Sequence, residues 1–206
     1  MLFRSKTKET QIQLSLSYPA GESRIDIPCG FLAHMLELMA HRGRLSLSIE
    51  ARGDVHVDAH HLTEDVGIVL GLAMKDLLLE VRSSGGSSIK RYGWCLLPMD
   101  GSLAEIALDL GGRGGLFWEG AFPTDRCGEF DLELVPEFFR GFCRESRATL
   151  HIRLLAADNS HHAAEAVFKG VGVALDMALS PTSVAPSTKG EWMSTKIGRA
   201  SCRERV

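Results

Sequence analysis

Two copies of one short motif carry most of the chemistry that the residue types of this chain can support. His60-His61-Leu-Thr-Glu64 and His161-His162-Ala-Ala-Glu165 share the pattern HHxxE. On a helix, the Glu lies one turn after the His pair and on the same face. Imidazole and carboxylate groups that converge in this way can bind a transition metal, although they do not distinguish sharply between manganese, iron, nickel and zinc.

The repetition of HHxxE matters more than the motif itself. A single copy is more often a polar surface patch, or one buried His with a satisfied hydrogen bond. Two copies in matching context favour metal binding, because chance rarely repeats both a motif and its surroundings. Two adjacent His side chains cannot face one ion from a regular helix, so we expect each pair to serve two metal sites, shared between halves or between subunits.

The elements that must position these motifs also repeat. Helical and alternating spacing of apolar residues predicts the order helix, strand, loop, HHxxE and helix in each half. Strands and helices without strict βαβ alternation indicate an α+β fold, with sheets packed on helices. Loops are predicted at 82–88, 111–115 and 180–190, where Gly, Ser or Pro is concentrated. The predicted helices span 31–41, 66–81, 134–143 and 163–179, and the predicted strands span 11–18, 44–51, 103–110 and 149–155.

Composition excludes several classes of protein. The 206 residues include 23 Lys and Arg against 26 Asp and Glu, a balance without the long basic run of a nucleic-acid or membrane-surface protein. The most apolar uncharged stretch, 66–74, is much shorter than the roughly 20 residues of a membrane span. Residues 1–10 carry alternating charges and no signal core, so we expect a cytoplasmic location. Five Cys without a CxxC pair suggest neither a disulfide framework nor a thiolate zinc site.

Further strings accompany the two motifs in one fixed order. With them, the chain resembles the imidazoleglycerol-phosphate dehydratase family of histidine biosynthesis over more than nine tenths of its length. The strings that carry the resemblance are KTKET at 6–10, GFLAHML at 30–36, GDVHVDAHHLTED at 53–65, RYG at 91–93, PMD at 98–100, GR at 112–113, TLHI at 149–152, HHAAEAVFK at 161–169 and PSTKG at 186–190.

The resemblance implies an architecture and an assembly. It implies an α+β fold of the ribosomal protein S5 domain 2-like type, with two duplicated halves and helices packed between two sheets. The halves are predicted at 1–86 and 87–190, followed by a tail at 191–206. Within that tail, 196–206 lies beyond the family's usual end and is predicted to be non-native, since it back-translates to a common sequencing-adapter sequence. The alternative is a genuine basic tail on a divergent member of the family. The resemblance also implies a large homo-oligomer, a 24-mer, with its sites at subunit interfaces and no nucleic-acid or membrane partner.

The resemblance further implies two manganese ions per site and a set of site residues. Glu137 stands where many members have His, and its position is equally compatible with an exposed carboxylate on a helix face. His34 has apolar neighbours and would also suit a core histidine. The implied metal ligands are His34, His60, His61, Glu64, Glu137, His161, His162 and Glu165. The implied substrate contacts are Glu9, His34, Arg91, Arg113, Lys169, Ser187, Thr188 and Lys189, of which each Lys or Arg alone would pass for a surface charge.

The implied reaction removes water from the phosphorylated imidazole substrate, imidazole glycerol phosphate, to give imidazole acetol phosphate. Metal binding to the imidazole ring would favour the imidazolate, whose electrons can expel the side-chain hydroxyl. A protein group must also remove a carbon-bound proton, and Glu9, Glu64 and Glu165 are the predicted catalytic carboxylates. The chain departs from the family pattern at Ala33, Arg42 and Gly101. These departures are expected to change how the site residues are held in place and to leave the chemistry intact.

A different class of protein could use the same His and Glu set. The alternatives are a non-catalytic metal-binding oligomer and a metallohydrolase. A hydrolase would not need the phosphate contacts at Arg91, Arg113 and 187–189, and a metal-storage protein would not need Glu9.

Overall fold

A computed structural model describes residues 2–19, 21–83 and 88–183. The predictions for Ser187, Thr188, Lys189 and the tail at 191–206 lie outside these residues. In chain order, the elements are β1 (Leu2–Lys6), β2 (Thr10–Ser17), β3 (Arg24–Asp26), α1 (Gly30–Arg42), β4 (Ser46–Gly53), α2 (His60–Ser83), β5 (Ser88–Ile89), β6 (Tyr92–Met99), β7 (Ser102–Asp109), β8 (Gly115–Glu119), β9 (Arg126–Cys127), β10 (Phe130–Asp131), α3 (Leu134–Ser146), β11 (Thr149–Ala156), α4 (Ser160–Leu179) and β12 (Pro181–Thr182).

Two four-stranded sheets share one topology. The first has the order β1-β2-β4-β3 and the second β6-β7-β11-β8. In each sheet the last neighbour pair is parallel and the other two pairs are antiparallel. The predicted α+β fold with duplicated halves is therefore confirmed. The boundary between the halves at 86 and 87 stays a prediction, since residues 84–87 lie outside the described part of the chain.

The four long helices lie between the sheets. Helix α2 packs on β2 and β4, α4 packs on β6 and β7, and the helices pair as α1 with α4 and α2 with α3. Each pair approaches closely at a glycine. A Cβ on Gly71 would lie 2.6 Å from the Phe142 carbonyl oxygen, and one on Gly172 would lie 2.5 Å from that of Met39. These glycines occupy matching positions after HHxxE, so the duplication extends to the packing of the helices.

The core lies in this helical layer. Alternate residues of β2 and β4, such as Ile12, Leu14 and Ile49, point into it and are buried. Between α3 and α4, the rings of Phe138, Phe139 and Phe168 lie with centroids 4.9–5.5 Å apart. Burial of such side chains contributes about 1.5–3 kcal/mol each. Buried residues of both halves belong to a single hydrophobic cluster, so the halves share one core.

Two helices begin earlier than their apolar spacing indicates. The predicted starts at 66 and 163 were wrong, because α2 begins at His60 and α4 at Ser160. Asp58 Oδ1 accepts a hydrogen bond from the His60 backbone N–H, and Asn159 Oδ1 accepts from those of His161 and His162. These side chains satisfy backbone donors that a helix start leaves free. Both HHxxE motifs therefore occupy the first turns of their helices.

The structure also adds strands that the alternation of apolar residues did not predict. Residues 181 and 182, which fall in the loop predicted at 180–190, form β12 and pair with β5. Within the described residues, none of the helices combines the length and the apolar character needed to cross a membrane.

Candidate metal and substrate site

Helices α1 and α4 bring three potential metal ligands together. His34 Nε2 lies 3.0 Å from Oε1 of Glu165, and His161 Nε2 lies 3.6 Å from the same oxygen. One ligand atom from each of the three residues lies within 4.8 Å of the other two. Two imidazoles and a carboxylate at such distances fit a transition-metal ion.

The Glu165 carboxylate supplies the negative charge of this cluster. Its side chain is only 9% exposed, and its second oxygen, Oε2, accepts a hydrogen bond of 3.0 Å from Lys169 Nζ. Burial alone would raise the pKa of Glu165, but the hydrogen bonds from Lys169 and His34 outweigh it and lower the pKa. Glu165 is therefore ionised at neutral pH, which is the form that binds a metal.

A cavity opens beside the cluster. It has a volume of about 860 Å³ and is lined by His34 and His161 together with the segments 55–59 and 126–131. Phe31 forms part of the wall, where its ring stacks on Phe130 at 5.0 Å and meets the edge of His161 at 5.5 Å. A cavity of this size can hold a small metabolite.

The first HHxxE motif is more open. His60 Nε2 lies 4.0 Å from Glu64 Oε2, while His61 Nδ1 lies 3.0 Å from Asp54 Oδ2. The hydrogen bond with Asp54 raises the pKa of His61, and Glu9 adds to this through its nearby charge. Glu9 therefore lies near the first motif, and its backbone carbonyl accepts a hydrogen bond of 3.1 Å from the Asp54 N–H. Its role as a substrate contact stays a prediction.

The two His of each pair face different partners. The rings of His161 and His162 are 6.3 Å apart and nearly perpendicular, and those of His60 and His61 are 6.0 Å apart in a similar arrangement. His162 Nδ1 lies 3.4 Å from Asp100 Oδ2, away from Glu165, and it makes no hydrogen bond within the described residues. This divergence supports the expectation that each pair serves two sites.

Glu137 lies on α3 at the position that His34 occupies on α1. Each is ten residues before an Arg with left-handed backbone, Arg147 with φ 61° and Arg44 with φ 50°. The Glu137 carboxylate accepts a hydrogen bond from Arg140. Within the described ranges, Glu137, His60 and Glu64 do not form a compact group of ligand atoms like that around Glu165. The role of Glu137 as a ligand stays a prediction.

Two predicted phosphate contacts lie far from the metal cluster. Arg91 is almost buried and donates two hydrogen bonds, of 2.6 and 2.9 Å, to the Asp109 carboxylate, which raises its pKa. Arg113 lies 3.6 Å from the same carboxylate. The Arg91 backbone N–H donates to the carbonyl of Ala178, thirteen residues after Glu165. At 1.5 Å per residue, this separation is about 20 Å along α4.

The predicted site residues therefore fall into three groups within one chain. His34, His161, Glu165 and Lys169 form a cluster, Glu9 joins the first motif, and Arg91 and Arg113 share Asp109. Residue spacing did not reveal Asp54, Asp100 and Asp109, because each finds its partner through tertiary structure. The starts of the two helices could have been predicted from the sequence, since a capping residue, Asp or Asn, stands two residues before each His pair.

One departure from the family pattern has a visible structural consequence. A Cβ on Gly101 would lie 2.3 Å from the Asp158 carboxylate, which accepts a hydrogen bond of 2.8 Å from Ser102. Glycine avoids this clash. Nothing in the structure explains Ala33 or Arg42.

The comparison with known proteins agrees with this geometry. A model of the imidazoleglycerol-phosphate dehydratase family matches residues 28–175, from the start of α1 to near the end of α4. The chain belongs to the imidazoleglycerol-phosphate dehydratase family. The prediction of a hydro-lyase is confirmed by this membership.

Relatives within the family match most of the chain. The imidazoleglycerol-phosphate dehydratase of Clostridium novyi is 48% identical over 175 residues, which cover 84% of this chain and 87% of the relative. That of Xanthobacter autotrophicus is 46% identical and covers 93% of both chains. The crystal structure of the Staphylococcus aureus enzyme covers 88% of this chain and 100% of its own, with a TM-score of 0.76 and 37% identity. The crystal structure of imidazoleglycerol-phosphate dehydratase (IGPD) from Pyrococcus furiosus, in complex with (S)-C348, has a TM-score of 0.78 at 34% identity. It covers 91% of this chain and 99% of its own.

Proposed function

We propose that this protein removes water from imidazole glycerol phosphate to give imidazole acetol phosphate, as a manganese-dependent homo-oligomer in histidine biosynthesis. The observation that carries this proposal is the cluster of His34, His161 and Glu165, with Lys169 bonded to the same carboxylate, in a chain of this family. The proposed reaction also supports the predicted cytoplasmic location.

The chemistry of the donor set fits manganese. Imidazole and carboxylate ligands without thiolate suit Mn²⁺. The ligands proposed from the sequence would hold two ions. His162 Nδ1, which makes no hydrogen bond to the described residues, is available as a metal ligand. When bound, the ions would act as Lewis acids towards the imidazole ring of the substrate.

Three side chains of the protein have separate proposed roles in charge balance, proton transfer and phosphate binding. Glu165 is already hydrogen-bonded to His34 and Lys169, so it holds charge in the site and is less free to accept a proton. Glu9, beside His61, is the proposed group for proton transfer or for positioning of the substrate hydroxyl. The Arg91 guanidinium is held by Asp109 in a fixed orientation, which suits recognition of a phosphate dianion.

The placement of Arg91 supports an oligomer. A substrate with a single phosphate cannot span about 20 Å from the Glu165 cluster to Arg91 of the same chain. We therefore propose that Arg91 of one subunit completes the site of another. The outer face of the second sheet also favours assembly, since Trp94, Leu96 and Phe117 are 61%, 62% and 55% exposed there.

A product assay tests the activity. Manganese-loaded protein incubated with imidazole glycerol phosphate should yield the keto product, and Glu9→Gln should lower kcat without loss of bound manganese. Absence of product at full metal occupancy would favour the non-catalytic alternative. Hydrolysis of the phosphate without dehydration would favour a metallohydrolase.

Subunit mixing tests the shared site. Arg91→Lys and Glu165→Gln should each be nearly inactive alone. Mixed oligomers formed after dissociation and reassembly should recover activity, because some sites then receive an intact Arg91 and an intact Glu165 from different subunits. Mixed oligomers that stay as inactive as the parents would contradict the shared arrangement.

A further inference from the structure

A second pocket lies between α2, α3 and the turn that follows β7. Its volume is about 490 Å³. Five basic side chains and one acidic side chain line it, and Leu116 is the one large apolar residue in its wall. The charged lining residues are Lys75, Arg113, Arg140, Arg144, Arg147 and Glu145.

Only some of the five basic side chains in this pocket form ion pairs with carboxylates of the described residues. Arg140 pairs with Glu137, and Arg144 pairs with Glu145 at 3.0 Å. The side chains of these two pairs are partly exposed to solvent, and exposed ion pairs contribute about 1 kcal/mol or less. Further contacts are longer, with Arg144 to Glu64 at 3.9 Å and Arg113 to Asp109 at 3.6 Å. For Lys75 and Arg147, the described part of the chain offers no carboxylate within 4.0 Å.

The other half of the molecule provides an internal comparison. Lys75 lies eleven residues after Glu64, and Asp176 lies eleven residues after Glu165, so the two occupy matching positions on α2 and α4. Arg147 and Arg44 match in the same way, since each lies two residues before a strand and has a left-handed backbone.

The two halves differ in charge at these matching positions. Arg44 of the first half has a counter-charge from the second half, because Asp176 Oδ1 lies 3.6 Å from its Nη1. At the matching pair of positions, Lys75 of the first half stands in place of the acid, and it lines the same pocket as Arg147 of the second half. Like charges held together in one concave pocket are unfavourable unless an anion joins them.

We propose that this basic pocket binds a compact phosphate-class dianion, at a site additional to the phosphate contacts of the substrate. Guanidinium groups match phosphate oxygens in two-point hydrogen bonds, and Lys75 adds a point charge. Since none of the described residues that line the pocket is aromatic, charge and size decide recognition, and these residues offer a nucleobase no ring to stack on.

One side of the pocket borders the predicted metal ligands, since Arg144 lies 3.9 Å from Glu64 and Arg140 pairs with Glu137, whereas Lys75 lies farther along α2. Lys75 lies eleven residues beyond Glu64 on the same helix, which corresponds to about 16 Å. Arg113, a proposed substrate contact, reaches the rim of the pocket, so the tests use Lys75 and Arg147 instead.

Titration with inorganic phosphate tests this site. Full-length protein freed of unbound metal is titrated by calorimetry at low ionic strength, and we expect two classes of phosphate site per chain. Lys75→Gln and Arg147→Asn should each weaken one class about tenfold, the loss of one charge-assisted contact. Neither should change the KM for imidazole glycerol phosphate, whereas Arg91→Lys should affect the other class.

Arg44→Asn is the matched control for Arg147→Asn. Both exchanges replace an Arg with left-handed backbone, and Asn tolerates that conformation. Arg44→Asn should leave both classes of phosphate binding unchanged. Unaltered phosphate binding in Lys75→Gln and Arg147→Asn would overturn the proposal. So would a parallel rise in KM, which would assign the pocket to the substrate site, or a change in oligomer mass, which would indicate that acidic groups of a second copy fill it.

Discussion

His34 Nε2 lies 3.0 Å from Glu165 Oε1, although the two residues are 131 positions apart. The contact joins the helix α1 of the first half to the HHxxE motif of the second. Each half thus supplies part of the compact metal cluster, and neither half can form it alone.

Glu165→Gln should weaken metal binding. The exchange preserves the size of the side chain but removes the charge that His34, His161 and Lys169 surround. We expect manganese affinity to fall by more than about tenfold, since even the partners of metal ligands typically contribute 10–100-fold. Bound manganese measured by equilibrium dialysis and mass spectrometry gives the result. Glu37→Gln on the exposed side of α1 is the control. Equal metal content in both variants would refute the assignment of Glu165.

Asp54→Asn should weaken the hydrogen bond that orients the His61 ring. The Asp54 carboxylate lies 3.0 Å from His61 Nδ1, which leaves Nε2 directed away from it. Loss of this orientation should lower metal affinity about 10–100-fold while the fold stays intact. Asp125→Asn, at an exposed loop carboxylate, should bind metal normally. Identical affinities in the two variants would show that Asp54 does not position His61.

Gly172→Ala should destabilise the protein through steric contact between α4 and α1. The added methyl group would lie 2.5 Å from the Met39 carbonyl oxygen and 3.0 Å from the Arg42 Cβ. We expect the free energy of unfolding to fall by about 1–3 kcal/mol, as is typical of overpacking. Gly30→Ala meets nothing within 4 Å and serves as the control. Urea unfolding of both variants measures the difference, and equal stabilities would contradict the close approach of the helices.

The buried thiols should make the protein less stable in alkaline solution. Burial raises the pKa of Cys95 to about 11 and that of Cys143 to about 12. A thiol with a pKa near 9 in the unfolded chain ionises there first, so the unfolded state gains stability as the pH rises above 9. Each of these thiols should lower the free energy of unfolding by about 1.4 kcal/mol per pH unit between 9 and its folded pKa.

Urea unfolding at pH 8, 9 and 10 tests this dependence. The variant with Cys95→Ala and Cys143→Ala should lose less stability between pH 9 and 10 than the unaltered chain does. The difference between the two slopes removes the contribution of Tyr18, whose pKa is also raised by burial. Parallel slopes would mean that the two thiols ionise as readily in the folded protein as in the unfolded one.

The spacing of residues along the chain predicted much of the candidate site. The HHxxE motifs and their matching continuations at Gly71 and Gly172 predicted two metal-binding helices, since a helix places residues three and four apart on one face whatever surrounds it. Periodicity also predicted the α+β class, although it placed the starts of α2 and α4 too late. The polar His pairs interrupt the apolar spacing there, and the caps at Asp58 and Asn159 determine the first turn.

The sequence by itself determined which residue types could bind metal and that two halves repeat, because both are properties of short segments. Only the tertiary structure decided which of these segments meet. It joined His34 to Glu165 and held Arg91 against Asp109 at the far end of α4. It also brought Lys75 and Arg147 to one pocket, whereas Asp176 and Arg44 pair at the matching positions. Such contacts depend on how the helices pack between the sheets, and the spacing of residues along the chain does not encode that packing.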